Sequence, residues 1–211
     1  MGGCIEGSRP SFFYGEMKMA QYVTLTHTFG PLFDAHSRIL ILGSFPSVKS
    51  REANFFYGHP QNRFWKVIAA VTDSPVPSTI DEKKALLHGS HIALWDTIRQ
   101  CDIIGSSDSS IRNVIPNDLS VILDSAPIRR IYCNGAASAN LFHKYQEKTL
   151  GRTAVRLPST SPANAAFSLD RLVREWSVIR QDLLISPDSC GHIPSHSDTS
   201  PDNPSHFPSQ V

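Results

Sequence analysis

Short apolar runs alternate with longer helical patterns along this chain, which predicts a three-layer α/β/α domain around a central, mainly parallel four-stranded sheet. Two observations carry that expectation. Four runs, at 38–43, 91–95, 129–134 and 154–157, have strand length, and the first (RILILG) is apolar from its second residue on, as in a sheet covered on both faces. At least one helical pattern separates each run from the next, so the runs are expected to pair in parallel through right-handed crossovers.

The elements follow in order. After the 38–43 strand, residues 60–71 (PQNRFWKVIAAV) read as a helix, with Pro60 in its first turn and Phe64, Ile68 and Val71 on one face. A short helix over 81–87 leads to the second strand, HIALW at 91–95. Residues 117–123 form a helix capped by Asn117. The third strand, RRIYCN, is followed by Gly135 and a helix over 136–148; the fourth strand leads to a long amphipathic closing helix over 165–184. Ligands of open parallel sheets bind beyond the carboxyl ends of the strands, which puts 43–60, 96–111, 134–135 and 158–164 on one rim.

The ordered domain is expected over 22–185. Residues 1–21 lack periodicity, and the Ser/Pro-rich stretch 186–211 has too few large apolar residues to offset the entropy of ordering, so both are expected to be disordered. There is no apolar run of about 18 residues, as a membrane span needs, and the first residues lack the basic start and apolar block of a signal peptide. A cytoplasmic, monomeric protein is expected. Cys4, Cys101, Cys133 and Cys190 are scattered without a CxxC pair, against a zinc or iron–sulfur site of tight spacing. Neither metal nor cofactor is expected.

The net charge of +1 is uninformative, but its distribution is not. Residues 38–66 carry five bases against one acid and 129–156 six against one, whereas 67–128 carry eight acids against four bases. If the fold joins the two basic segments, they form one positive face of the kind that meets nucleic acid; otherwise they are separate solvated surfaces.

Residues 43–65 (GSFPSVKSREANFFYGHPQNRFW) begin with Gly43, Ser44 and Ser47, continue with Phe55, Phe56 and Tyr57, and end in His59, Gln61, Asn62 and Arg63. Small residues let backbone approach a phosphate or ribose, and loop aromatics offer a stacking surface for a base. A connection pinned to the core by its aromatics has the same composition, but a loop of about 16 residues in a compact domain usually has a task. On the second rim segment, LPSTSPAN at 157–164, two prolines pre-set the chain around three hydroxyls suited to a phosphodiester, although ordinary turns share this composition.

Together the two segments resemble the motifs of the uracil-DNA glycosylase superfamily: GSFPS (43–47) matches a first motif G-x-x-P-x after the first strand, and LPSTS (157–161) a second motif x-P-S-x-x after the last. The hypoxanthine-DNA glycosylase branch, family 6, is the closer resemblance. It shares YGHPQNRFW (57–65), ALWD (93–96), GSSDSSI (105–111), a strand ending in Asn134-Gly135, and PSTSPAN, over roughly 29–179. The resemblance implies a uracil-DNA glycosylase-like fold and a repair enzyme acting on double-stranded DNA. Such an enzyme flips out a deaminated base, chiefly hypoxanthine in deoxyinosine, and hydrolyses its N-glycosidic bond.

Two positions depart from the superfamily pattern. Where most members place Asp or Asn to position the attacking water, this chain has Phe45; where several begin the second motif with His, it has Leu157. The resemblance therefore points to Asn62 as the substitute polar group, orienting the water, although Asn62 also sits where a helix-start side chain bonds local backbone. Asp96 is the second catalytic candidate, placed either to read the N–H edge of a base or to cap the next turn. Gly43, Ser44, Phe45, Tyr57 and Trp95 are the expected base pocket, with core packing the competing role for the aromatics. Ser47, Lys49, His59, Arg63, Ser159, Thr160, Ser161 and Asn164 are the expected DNA contacts. Two other readings stay open: a uracil or mismatch glycosylase, and a non-catalytic DNA or nucleotide binder of the same fold.

Overall fold

A computed structural model of the protein describes residues 21–184. The expected N-terminal extension (1–21, apart from its last residue) and the tail 186–211 lie outside the described residues.

The architecture is the expected three-layer α/β/α one. Four strands, β2 (Ile39–Gly43), β3 (Ile92–Asp96), β6 (Arg130–Asn134) and β7 (Ala154–Leu157), form a wholly parallel sheet in the order β3-β2-β6-β7. Every residue of β2 and β3 is buried, which explains why neither run alternates. Ile39–Leu42, Ile131 and Tyr132 form the centre of the core with Phe64, Phe142 and Trp176 from the helices.

A second sheet was not anticipated. β1 (Val23–Thr26), β4 (Ile98–Ile103) and β5 (Arg112–Pro116) form an antiparallel sheet in the order β1-β4-β5. Its strands hide from pattern reading for physical reasons. β1 and β5 are largely exposed edges, and two register shifts interrupt the pairing of β4 with β5. The first half of the expected rim loop 96–111 is therefore largely strand. Only Thr97 separates β3 from β4; its hydroxyl and N–H both donate to the Gly43 carbonyl at 2.9 Å, stitching the two sheets together at the end of β2.

The helices keep their expected places but not their bounds. The first rim segment contains a short helix, α1 (Val48–Ala53), with Ser47 as N-cap. The helix expected from Pro60 begins four residues later, as α2 (Phe64–Val71), because 59–63 is a turn. A Thr79–Glu82 capping box starts α3 (Ile80–Gly89). Asn117 does not cap a helix: α4 (Ser120–Leu123) starts later, and the Asn117 amide donates to the carbonyls of Asp96 and Ile98, bracing the crossing between the sheets. The helix α5 (Ala136–Phe142) continues through a π-helical stretch, His143–Glu147, into α6 (Lys148–Leu150). The closing helix is two, α7 (Leu169–Trp176) and α8 (Ile179–Leu184), divided where the Ser177 N–H and hydroxyl both turn back to the Val173 carbonyl. No described helix is long and apolar enough to cross a membrane.

Candidate active site

The register of the parallel sheet sets Gly43 beside Asp96, and Asn134 beside Leu157, at the carboxyl ends of the strands. Above these ends lies a pocket of about 260 Å³, near the lower end of small-ligand clefts, walled by the segments after β2, β4 and β7.

Gly43 and Asp96 form the floor. The Asp96 side chain is almost fully buried and lies against Gly43 so closely that a Cβ there would sit 2.1 Å from Oδ1. Its other oxygen, Oδ2, accepts from His27 Nε2 at 2.8 Å. His27, just after β1, is 2% exposed and ringed by Phe29, Phe45 and Phe56, with centroid separations of 4.4–6.4 Å. Tyr57 stacks on Phe64 at 3.9 Å with its hydroxyl buried near Asp96; neither Asp96 nor Asn134 meets that hydroxyl with normal hydrogen-bond geometry. Burial, reinforced by the Asp96 charge, drives the Tyr57 pKa far up, so the hydroxyl stays a donor.

Asn62 is held by a chain of hydrogen bonds. Its Oδ1 accepts from the Phe64 N–H at 2.9 Å and from the Thr160 hydroxyl at 3.0 Å. Thr160 Oγ1 in turn accepts from Asn134 Nδ2 at 2.9 Å, while Asn134 Oδ1 takes the Thr160 N–H at 3.0 Å. A backbone N–H only donates, so the orientation of the Asn62 amide is fixed. Both lone pairs of Oδ1 are engaged, and the Nδ2 hydrogens remain for the pocket that Asn62 lines. Asn62 therefore bonds local backbone at a helix start, the competing placement foreseen for it, and has no lone pair left to accept from a water; only its Nδ2 hydrogens remain for the pocket it lines.

Arg63 is committed elsewhere. Its guanidinium donates to the carbonyls of Thr160, Ser161, Asn164 and Phe167, clamping the second rim segment in a fork that Lys could not reproduce. Thr160 is fully buried and faces Asn62, not solvent. Ser159 and Ser161 line the pocket, each hydroxyl accepting a local N–H and keeping its own hydrogen to donate. Asn164 braces the turn through the Ser159 carbonyl at 2.9 Å and does not line the pocket. Gly135, in a positive-φ conformation (φ 95°), leaves room for Ser159, where a Cβ would fall 2.9 Å from the serine Cβ.

Around the mouth, Ser44, Phe45, Ser47, Lys49 and His59 all line the pocket. Phe45 is 8% exposed and packs mainly on Ile98, Cys101 and Ile103. The Ser47 hydroxyl caps α1 through the Ser50 N–H, Lys49 is exposed beside Glu52, and His59 Nδ1 accepts the Gln61 N–H. Trp95 is placed in the core, outside the pocket.

Three residues at or against the pocket escaped sequence reasoning as site candidates. His27 gave no signal because its partner is 69 residues away. Asn134 was placed on the rim but given no part. Asp108, from the GSSDSSI stretch, reaches over the first motif to accept from the Ser44 hydroxyl at 2.7 Å. Its carboxylate is surrounded by protein yet open to solvent at the mouth. Burial raises its pKa, the nearby Asp96 adds to the rise, and the Ser44 bond opposes it. Among the described residues, no group of three or more His, Cys, Asp or Glu side chains is placed to hold a metal ion.

The chain is similar to known proteins over most of its length. A Methanosarcina acetivorans protein named hypoxanthine DNA glycosylase is 32% identical over 152 residues, spanning 72% of this chain and 95% of the relative. A Methanosarcina barkeri protein of the same name is 30% identical over 140 residues, spanning 64% and 86%. The solution NMR structure of an M. acetivorans protein described as a candidate uracil DNA glycosylase matches with a TM-score of 0.64 and 31% identity, over 74% of this chain and 96% of that one. The sequence pattern of the uracil DNA glycosylase superfamily matches residues 31–182, both pocket-forming motifs included, and the chain belongs to that superfamily.

Proposed function

We propose that this protein is a monofunctional DNA glycosylase that extrudes a deaminated purine, hypoxanthine above all, from double-stranded DNA and hydrolyses its N-glycosidic bond. The observation that carries this reading is the pairing, in one pocket, of a buried carboxylate acceptor, Asp96, with an amide locked as donor, Asn62. The deaminated purine has an N1–H next to a carbonyl, where adenine has a bare N1. A carboxylate floor accepts that N–H and leaves adenine N1 facing another acceptor, an unpaired arrangement that costs affinity.

As the glycosidic bond breaks, negative charge builds on the departing base and positive charge on the sugar. The Nδ2 hydrogens of Asn62 donate to the departing base. This replaces the water-orienting role expected from sequence, since the Asn62 oxygen is doubly occupied. The base enters first and reaches the floor, leaving the sugar at the mouth, where Asp108 accepts from the attacking water and offsets the charge on the sugar. Ser159 and Ser161 donate to the flanking phosphates. Weakly paired lesions cost less to unstack, which adds selectivity.

The test is to incubate the protein with duplexes carrying inosine, uracil or no lesion and cleave abasic sites with alkali. Strand breaks confined to the inosine duplex are expected. Breaks only at uracil would assign the other base, and no breaks on any duplex would overturn the enzymatic reading.

A further inference from the structure

The Asp96 carboxylate divides its two oxygens between different tasks. Oδ1 lies over Gly43 at the pocket floor, whereas Oδ2 is bound by His27 Nε2 at 2.8 Å. A carboxylate accepts, so Nε2 carries the proton, and the neutral ring then has a bare Nδ1. That Nδ1 is buried without a hydrogen-bond partner, enclosed by the rings of Phe29, Phe45 and Phe56. A phenyl ring would fill this apolar enclosure without leaving an orphaned nitrogen, so the enclosure alone gives no reason for a histidine. The contact that calls for one is the bond to Asp96.

We propose that His27 is a positioning residue: it anchors Oδ2 of Asp96 so that Oδ1 alone faces the pocket, as acceptor for a single N–H of the extruded base. The proposal rests on the glycosylase reading for its substrate. His27 reaches the floor from the antiparallel sheet, which gives that sheet a part in the site: β1 is paired to β4, and β4 continues from β3 one residue beyond Asp96. Without His27 the carboxylate can turn about its bond to Cβ, so neither oxygen keeps the geometry that distinguishes a base with an N–H from one without.

Two substitutions separate positioning from packing. His27→Phe fills the aromatic enclosure and removes the donor; His27→Gln keeps an N–H at the place of Nε2. On an inosine duplex under single-turnover conditions, His27→Phe is expected to lose about 100-fold in rate, the scale of a small misplacement of a reacting group. His27→Gln should restore most of it, although it packs the enclosure less well. Equal rates for the two variants, or a His27→Phe variant as fast as wild type, would overturn the proposal. A nitrogen-15 imidazole spectrum of the wild-type protein supplies a readout independent of turnover and of folding in the variants. A slowly exchanging Nε2–H form of His27, altered in Asp96→Asn, supports the proposal, and an Nδ1–H form or a freely averaging ring overturns it. Absence of wild-type excision on every duplex would strike the glycosylase reading instead, and the spectrum would still decide whether His27 anchors Asp96.

Discussion

The Thr160 hydroxyl donates to the side-chain oxygen of Asn62 at 3.0 Å, joining the two rim segments across 98 residues of sequence. With the Phe64 N–H on the same oxygen, the bond makes Asn62 a donor toward the pocket. Asn62→Asp keeps an oxygen for both bonds and loses the Nδ2 hydrogens. It is expected to reduce inosine excision at least about 100-fold, as loss of a charge-stabilising donor does, and so to resemble Asn62→Ala. Near-wild-type excision by Asn62→Asp would mean that the side chain acts as an acceptor.

Thr160→Val tests the lock. The substitution keeps the shape of a fully buried side chain but leaves Asn134 Nδ2 without its acceptor and the Asn62 amide short of one donor. A stability loss of about 1–3 kcal/mol is expected in denaturant titration, the cost of an unsatisfied buried polar group. Excision should fall about tenfold as the amide loses its orientation. A stability loss with unchanged excision would show that Asn62 needs no such support.

Arg63 was expected to contact DNA, and its placement suggests a different measurable signature. Its guanidinium bonds to four backbone carbonyls of 160–167, so Arg63→Lys should cost about 2 kcal/mol of stability through the lost fork. The salt dependence of duplex binding should not change, whereas each lost phosphate contact would flatten that slope by about one unit. Lys49, exposed at the mouth, is the control: Lys49→Ala should flatten the slope and leave stability alone.

The central sheet was legible because its strands are continuously apolar and its crossovers carry helical patterns, with Ile39–Leu42 the clearest case. The second sheet was not: β5 ends in a proline and exposes most of its residues, so burial leaves no period to read. The two motifs gave Gly43 and Ser159 their places and the YGHPQNRFW run gave Asn62 its own, but none of them could show that Thr160 turns inward or that Arg63 bonds backbone. Those facts depend on how 59–63 and 158–167 fold against each other. His27 and Asp108 come from outside both motifs: His27, next to β1, reaches the floor carboxylate Asp96 from behind, and Asp108, beyond β4, reaches the pocket wall at Ser44.

Gly43→Ala tests the floor. The added methyl would overlap Asp96 Oδ1 at 2.1 Å, and the carboxylate is the group that must move. Excision of hypoxanthine should fall by about 100-fold or more, since a displacement near 1 Å at a reacting group costs that much. Circular dichroism should remain that of the folded protein, because Gly43 has ordinary φ and the overlap is with a side chain. Full activity in this variant would remove Asp96 from base recognition.

Asp108 gives the site a pH signature whose sign is fixed. Its folded-state pKa lies above the ordinary 3.8, chiefly through burial and then through the Asp96 charge, so the folded protein holds the proton more tightly than the unfolded chain. The resulting stabilisation is complete below about pH 4, near the unfolded value, and is lost as pH rises through the raised folded pKa. Asp108→Asn should abolish that part of the slope, leaving the variant at least as stable as wild type at neutral pH. Activity runs the opposite way, because only the ionised carboxylate accepts from water. Wild-type single-turnover excision should therefore rise with pH through the same interval, displaced upward from an ordinary aspartate. Asp108→Asn should be slower at neutral pH by about 100-fold, the usual loss for a missing general base, and should lack the acid limb. A variant that keeps both the rate and the acid limb would assign the water to another acceptor.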